Sequence, residues 1–240
     1  LTTTAMSNAR PSLKVQRPTV TLRELALEKM RTAILEAHFH PGERLVERSL
    51  CETLGVSRTV VREVLRHLET EGLVDSLPNQ GPIVAVLDVE TAAQIYEIRA
   101  LLEGEAAMAC AQHADERIVA DLADHIDKIG HAFEEEDYQA VRALTSAFYE
   151  RMFIGGKKHV AWEIVQSLIA RINRLRALTI ASDDRGRQAV NEMRRILSDI
   201  EAGNGAGARE AAIAHVDRVA EIAWKLLAHG HENALWRQAG

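Results

Sequence analysis

The feature that most constrains this chain is a double change in the spacing of its apolar residues. From Thr21 to about His38, the positions Leu22, Leu25, Ala26, Met30, Ala33, Ile34 and Ala37 recur at helical intervals. Thr21 followed by Glu24 is a capping-box start, and Pro41-Gly42 closes the region. A short helix is expected over about Glu47 to Leu54, ended by Gly55. A third opens after Ser57, presents Val61, Val64, Leu65 and Leu68 on one side, and stops at Gly72. The spacing then changes. Leu73-Val74-Asp75-Ser76 and Ile83-Val84-Ala85-Val86 read as two short strands around Pro78-Asn79-Gln80-Gly81. After Asp88 the helical spacing returns and persists. Six segments are predicted, at roughly 90–112, 115–135, 137–154, 159–181, 187–203 and 206–229.

Short loops between long amphipathic segments imply an antiparallel bundle. The predicted fold is therefore mainly α: a winged helix-turn-helix over 20–87, then an antiparallel six-helix bundle over 88–232. A flexible, polar tail is expected over 1–19 and a short one over 233–240. Leu1 is an unusual first residue, and Met6 is a candidate start.

Composition narrows the function classes. The net charge of −6 excludes a generally basic nucleic-acid coat but leaves room for a local DNA-reading element. Cys51 and Cys110 lie far apart in helical segments and read as reduced thiols, which points to the cytoplasm. No apolar run approaches the roughly 20 residues that span a bilayer, and no secretory segment is expected.

The turn Leu54-Gly55-Val56-Ser57 holds a glycine where a positive φ is needed, and Ser57 is placed to cap the third helix. That helix opens with Arg58, Thr59 and Arg62, so its first turn offers free N–H groups to phosphate and side chains to base edges. Arg58 and Arg62 share a face opposite the apolar stripe, and arginine bonds guanine bidentately. An arginine pair alone is commonly a solvated face. The ordered series of helix, Pro-Gly, helix, Gly-x-Ser-Arg-Thr, helix, Gly and hairpin is far more specific.

The runs Pro41-Gly42-Glu43-Arg44-Leu45, Glu47-Arg48, Leu54-Gly55-Val56-Ser57-Arg58-Thr59-x-Val61-Arg62-Glu63-x-Leu65 and Leu68-Glu69-x-Glu71-Gly72-Leu73 resemble the GntR transcription regulators. Ile98-Arg99-x-Leu101-Leu102-Glu103 and the all-helical remainder resemble their FadR branch, with an FCD effector-binding domain of the smaller VanR-like form. The resemblance implies DNA contacts at Arg48, Ser57, Arg58, Thr59, Arg62 and the wing-tip Gly81, with Arg48 and Arg62 on phosphate and Arg58 in the groove. Val60 stands where such helices usually have proline, and Asn79-Gln80-Gly81 replaces an often basic wing tip.

Many members of that branch bind a divalent metal through an Asp-x-x-x-His pair and two later histidines. The matching positions here are Thr145, Tyr149, Met193 and His215. One imidazole, a phenol, a hydroxyl and a thioether make no credible cation site, so no metal and no other cofactor is expected. Those four residues and Arg99 are the candidate effector-binding set. His215 lies among Ala211, Ala212, Val219 and Ile222, where a ligand contact and a satisfied core histidine are both open readings. Arg99 can anchor a carboxylate bidentately or pair with Glu103 one helical turn away. Arg142 and Arg171 are weaker candidates, expected at the surface.

The resemblance implies a non-enzymatic, ligand-responsive regulator, more often a repressor than an activator. Its expected partners are operator DNA with pseudo-palindromic half-sites, a small organic-acid effector and a second copy of the chain, with no membrane. The competing reading is a metal-dependent helical enzyme or metal sensor with an accessory DNA-binding domain. The missing carboxylate and histidines count against it, as does the lack of a Ser-His-Asp, Cys-His or glycine-rich phosphate constellation. A purely architectural DNA-binding protein is disfavoured by the acidic balance and the lack of a long basic arm.

Overall fold

The computed structural model describes residues 21–78, 80–182 and 184–238, with side chains through 228. The expected tail over 1–19 and the wing-tip Asn79 lie outside the described residues. Two apolar cores organise the rest, one in the DNA-reading half and one in the helical half.

The first half holds α1 (Leu22–Leu35), α2 (Glu47–Leu54), α3 (Arg58–Thr70), β1 (Val74–Leu77) and β2 (Gly81–Val84). The capping box at the start of α1 forms as expected. The Thr21 hydroxyl accepts from the Glu24 amide at 3.2 Å, and the Thr21 amide donates to Glu24 Oε2 at 2.8 Å. The buried face of α1 is Ala26, Leu27, Met30 and Ile34. Leu22 and Leu25, expected in the stripe, stand 67% and 50% exposed. The small core against α3 has room for one narrow face, and Leu27 takes the place that Leu25 was expected to hold.

In α3, Val61, Val64, Leu65 and Leu68 are buried, as their spacing predicts. β1 and β2 pair antiparallel, from Val74 opposite Val84 to Leu77 opposite Gly81. β2 starts two residues before its expected position because Gly81, at φ +80°, closes the turn and begins the ladder at once. The segment 42–45 lies along the hairpin. Leu45 donates to the Pro82 carbonyl and Val84 to that of Glu43, each at 2.9 Å.

Asp88 caps the first helix of the second half through the Thr91 amide at 2.7 Å. That half comprises α4 (Val89–His113), α5 (Glu116–Glu134), α6 (Tyr138–Gly155), α7 (His159–Ser167), α8 (Ile169–Thr179), α9 (Arg185–Glu201) and α10 (Gly205–Gln238). The fourth expected segment is thus two helices, and the described bundle has seven. The chain breaks at Leu168, at φ −103° and ψ −2°, with neither glycine nor proline to signal it. α10 runs past its expected end at 229.

α4 and α10 pack along one another at the centre, and α5, α6 and α9 complete the bundle. Glycine sets the closest approaches. A Cβ on Gly104 of α4 would fall 3.0 Å from the Ile213 side chain of α10. One on Gly156, after α6, would fall 2.8 Å from the Ala106 carbonyl oxygen.

Candidate nucleic-acid interface and helical-domain cavity

The exposed end of the first half is the N-terminus of α3. Gly55 ends α2 in the left-handed conformation at φ +66°, which a side chain adopts with strain, and turns the chain toward Ser57. The Ser57 hydroxyl accepts from the Val60 amide at 3.4 Å, so the first amides of α3 stay open to an anion. Val60 takes a place usual for proline, and its amide is the one the cap uses. Arg58, Thr59 and Arg62 are all exposed on this first turn and a half.

The three arginines differ in their partners. Arg62 Nε donates to both oxygens of Glu47, at 2.8 and 3.0 Å, and holds that carboxyl below its ordinary range. Arg48, with a side chain 81% exposed, is loosely paired with Glu52 at 3.3 Å. Arg58 makes no ion pair among the described residues. Gly81 stands at the wing with open space around it. The Glu47–Arg62 bridge went unseen in the sequence because it joins two helices 15 positions apart.

In the helical half, a cavity of about 40 Å³ lies among α4, α5, α6, α8, α9 and α10. Arg99, Thr145, Met193 and His215, four of the five expected effector residues, line it. Tyr149 stands behind the wall. Its ring lies 5.8 Å from the Arg99 guanidinium and 6.0 Å from that of Arg176. Arg99 makes the expected pair with Glu103 and also faces the cavity. Its Nε donates to Glu103 Oε1 at 2.7 Å in a pair almost wholly buried.

Two arginines that the sequence reading did not single out complete the wall. Arg185 pairs with Glu192 at 2.9 Å, and Glu192 also takes His215 Nδ1 at 2.7 Å. Burial pushes the His215 pKa down, with Arg185 nearby adding to the effect against the pull of Glu192, so the ring is neutral. An ionised Glu192 only accepts, so Nδ1 carries the proton and Nε2 is left as an acceptor. Burial alone would raise the Glu192 pKa, but the bonds from His215 and Arg185 hold it down at about 2.

Arg176 is the exception. It is buried, yet its described partners are neutral: Ser146 Oγ at 3.1 Å and Asn173 Oδ1 at 2.7 Å. Burial, then the like charge of Arg99, pushes its pKa down to about 10. Around the cavity, three guanidiniums meet two carboxylates, which leaves one positive charge in excess. Arg142 is buried and Arg171 half-buried, contrary to the surface positions expected for them.

Residues 94–218 match the FCD domain family, and residues 22–84 match the gntR family of bacterial regulatory proteins. The chain belongs to the GntR family, in the branch with an FCD domain. Among its relatives, the "Uncharacterized HTH-type transcriptional regulator YdhC" of Bacillus subtilis is 28% identical, with 85% of this chain and 92% of that one covered. LutR of the same organism, an HTH-type transcriptional regulator, is 29% identical over 79% of this chain and 95% of its own. The solved structure of E. coli McbR/YncC superposes with a TM-score of 0.71 at 20% identity, covering 86% of this chain and 99% of that one, and shows the shared fold.

The GntR–FCD resemblance raises the question of a metal, and the donors present do not fit one. Thr145 spends its hydroxyl proton on the Val141 carbonyl at 2.7 Å, Met193 offers a thioether, and His215, bonded to Glu192 through Nδ1, leaves Nε2 as the single imidazole donor. The three arginines around the cavity oppose a cation and favour an anion. As a GntR-family transcriptional regulator, the chain has relatives that regulate transcription, and among the described residues no helix is long and apolar enough to cross a membrane.

Proposed function

We propose that this regulator is a cytoplasmic homodimeric repressor whose FCD cavity takes a small organic acid. The observation behind the effector is Arg176, a buried guanidinium without a carboxylate partner among the described residues. An unneutralised buried charge is costly, and a ligand carboxylate relieves that cost. Arg176 therefore takes the anchoring role first expected of Arg99, whose charge Glu103 already meets. Thr145, Met193 and the neutral His215 shape the remainder, and Tyr149 supports both guanidiniums. At about 40 Å³ the cavity has room for roughly one or two waters, so an acid of a few heavy atoms must widen it.

For DNA, Arg58 reads a base edge, Thr59 a base or thymine methyl, and Arg48, Arg62, the Ser57 turn and Gly81 hold the backbone. One such head makes too few contacts for specific binding at physiological salt. A dimer puts two heads on a pseudo-palindromic operator. Ile98 and Leu101, exposed and three residues apart on α4, suit the face between copies.

The test is thermal unfolding of the full chain against sodium acetate, pyruvate and larger carboxylates at fixed ionic strength. An effector at about 100 times its Kd adds roughly 2.7 kcal/mol of stability. That rise is expected to vanish in Arg176→Met. A rise that survives this substitution removes Arg176 from the site, and a panel with no response removes the organic acid.

A further inference from the structure

The two cores share one helix. Ala170, in the first turn of α8, is buried in the core of the DNA-reading half with Leu27, Leu68 and Leu73. The next residue, Arg171, lies over Gly72. A Cβ at that glycine would fall 2.0 Å from Arg171 Nε, so the arginine fills the space that any side chain there would need. One turn on, Arg174 is buried with the Asp75 carboxylate of β1 acting on it. α1 also packs on α8.

The opposite face of α8 belongs to the bundle. Ile172, Leu175 and Thr179 are buried there, and Arg176 and Thr179 line the cavity. Residues 170, 171 and 174 fall on one side of a helical projection, and 172, 175, 176 and 179 on the other.

We infer that α8 is the element that couples the FCD cavity to the DNA-reading head. An α-helix of 11 residues, about 16 Å long, moves as a rod. Leu168 breaks the helix before it, and a loop with Asp184 at φ +57° follows it. Coordination at Arg176 changes the seating of the rod, and Ala170, Arg171 and Arg174 deliver that change to α1, Gly72 and β1. The coupling is reciprocal, so DNA on the head alters the cavity by the same free energy. The competing route is the covalent one, through Leu87 and Asp88 into α4.

This inference rests on the effector reading only for the identity of the ligand, and a ligand-free comparison tests it. Amide hydrogen exchange is measured on the full chain in wild type, Arg176→Met, Arg171→Ala/Arg174→Ala and the triple variant. Circular dichroism checks folding, and Arg176→Lys serves as the second cavity variant. Arg176→Met is expected to change exchange at least threefold in α6 and α9, and also in α1 and Leu73–Leu77. In the triple variant the change is expected to stay in α6 and α9. If the change in the head persists there, the covalent route carries the signal and the inference falls. If Arg176→Met never reaches the head, it falls as well.

Sodium acetate, compared with sodium chloride at equal ionic strength, separates the two claims. Protection of α6 and α9 by acetate in Arg171→Ala/Arg174→Ala, with no change in the head, supports both. Acetate without effect on the cavity walls of any variant counts against the small-acid reading and leaves the coupling to the Arg176→Met comparison.

Discussion

At the scale of single residues, the molecule depends on where charge is compensated and where it is not. Arg58, exposed in the first turn of the reading helix, makes no ion pair among the described residues. Arg58→Ala is expected to weaken binding to a site selected from random DNA by about 1–3 kcal/mol and to relax preference at one base per half-site. Fluorescence anisotropy at fixed salt measures this, and unchanged affinity removes α3 as the reader.

The His215–Glu192–Arg185 chain makes a second prediction. His215 has a folded pKa below its ordinary 6.5, so its stabilising contribution is whole above about 6.5 and is lost as pH falls. Glu192, held at about 2 against an ordinary 4.5, adds a loss that begins below 4.5. Both act in the same direction, and each full proton taken up on unfolding costs about 1.4 kcal/mol per pH unit. The unfolding temperature is expected to drop between pH 7.5 and 5.5, and His215→Gln to flatten that interval. A wild-type curve already flat there contradicts the buried neutral ring.

Thr145, Met193 and His215 were legible as cavity residues by their family positions. Arg176, Arg185 and Glu192 were not. An arginine inside an apolar stripe reads as a side chain that reaches out to solvent, and a bridge between residues on different parts of the bundle leaves no mark in local spacing.

At the scale of elements, the helices were legible where one face is buried, and their breaks were legible where glycine or proline makes them. The division of α7 from α8 has neither signal. It arises because α8 must turn to insert Ala170 into the other core, a demand of packing that local propensity does not encode. The exposed Leu22 and Leu25 show the converse, since apolar periodicity names more residues than a small core can take.

Packing also sets the costs. Leu68 is fully buried in α3, and Leu68→Ala is expected to lower stability by about 2–5 kcal/mol. Gly156→Ala drives a methyl against the backbone of α4 and is expected to cost about 1–3 kcal/mol. Urea unfolding checks both, and a loss below 0.5 kcal/mol at either site would show that the neighbouring backbone gives way freely.

At the scale of the whole molecule, the proposed dimer predicts a sedimentation coefficient of two chains at micromolar concentration. Leu101→Glu, at a side chain 63% exposed, is expected to yield folded monomers with weakened DNA binding. A wild-type monomer would end that arrangement. Because the cavity's donors suit an anion, a chelator is expected to leave both the unfolding temperature and DNA affinity unchanged. Stoichiometric metal by elemental analysis would reverse that reading.

The seating of α8 in both cores also bears on how such regulators can be recombined. A chimera that joins this bundle to another winged head at Asp88 would cut only one of two connections. The new head would meet Arg171 with whatever stands at the place of Gly72, and a side chain there would displace the end of that arginine from its seat. Exchange of heads between relatives should therefore keep the contact intact where α8 travels with its own head or the glycine is kept, so the unit of inheritance is wider than the chain segment that reads DNA.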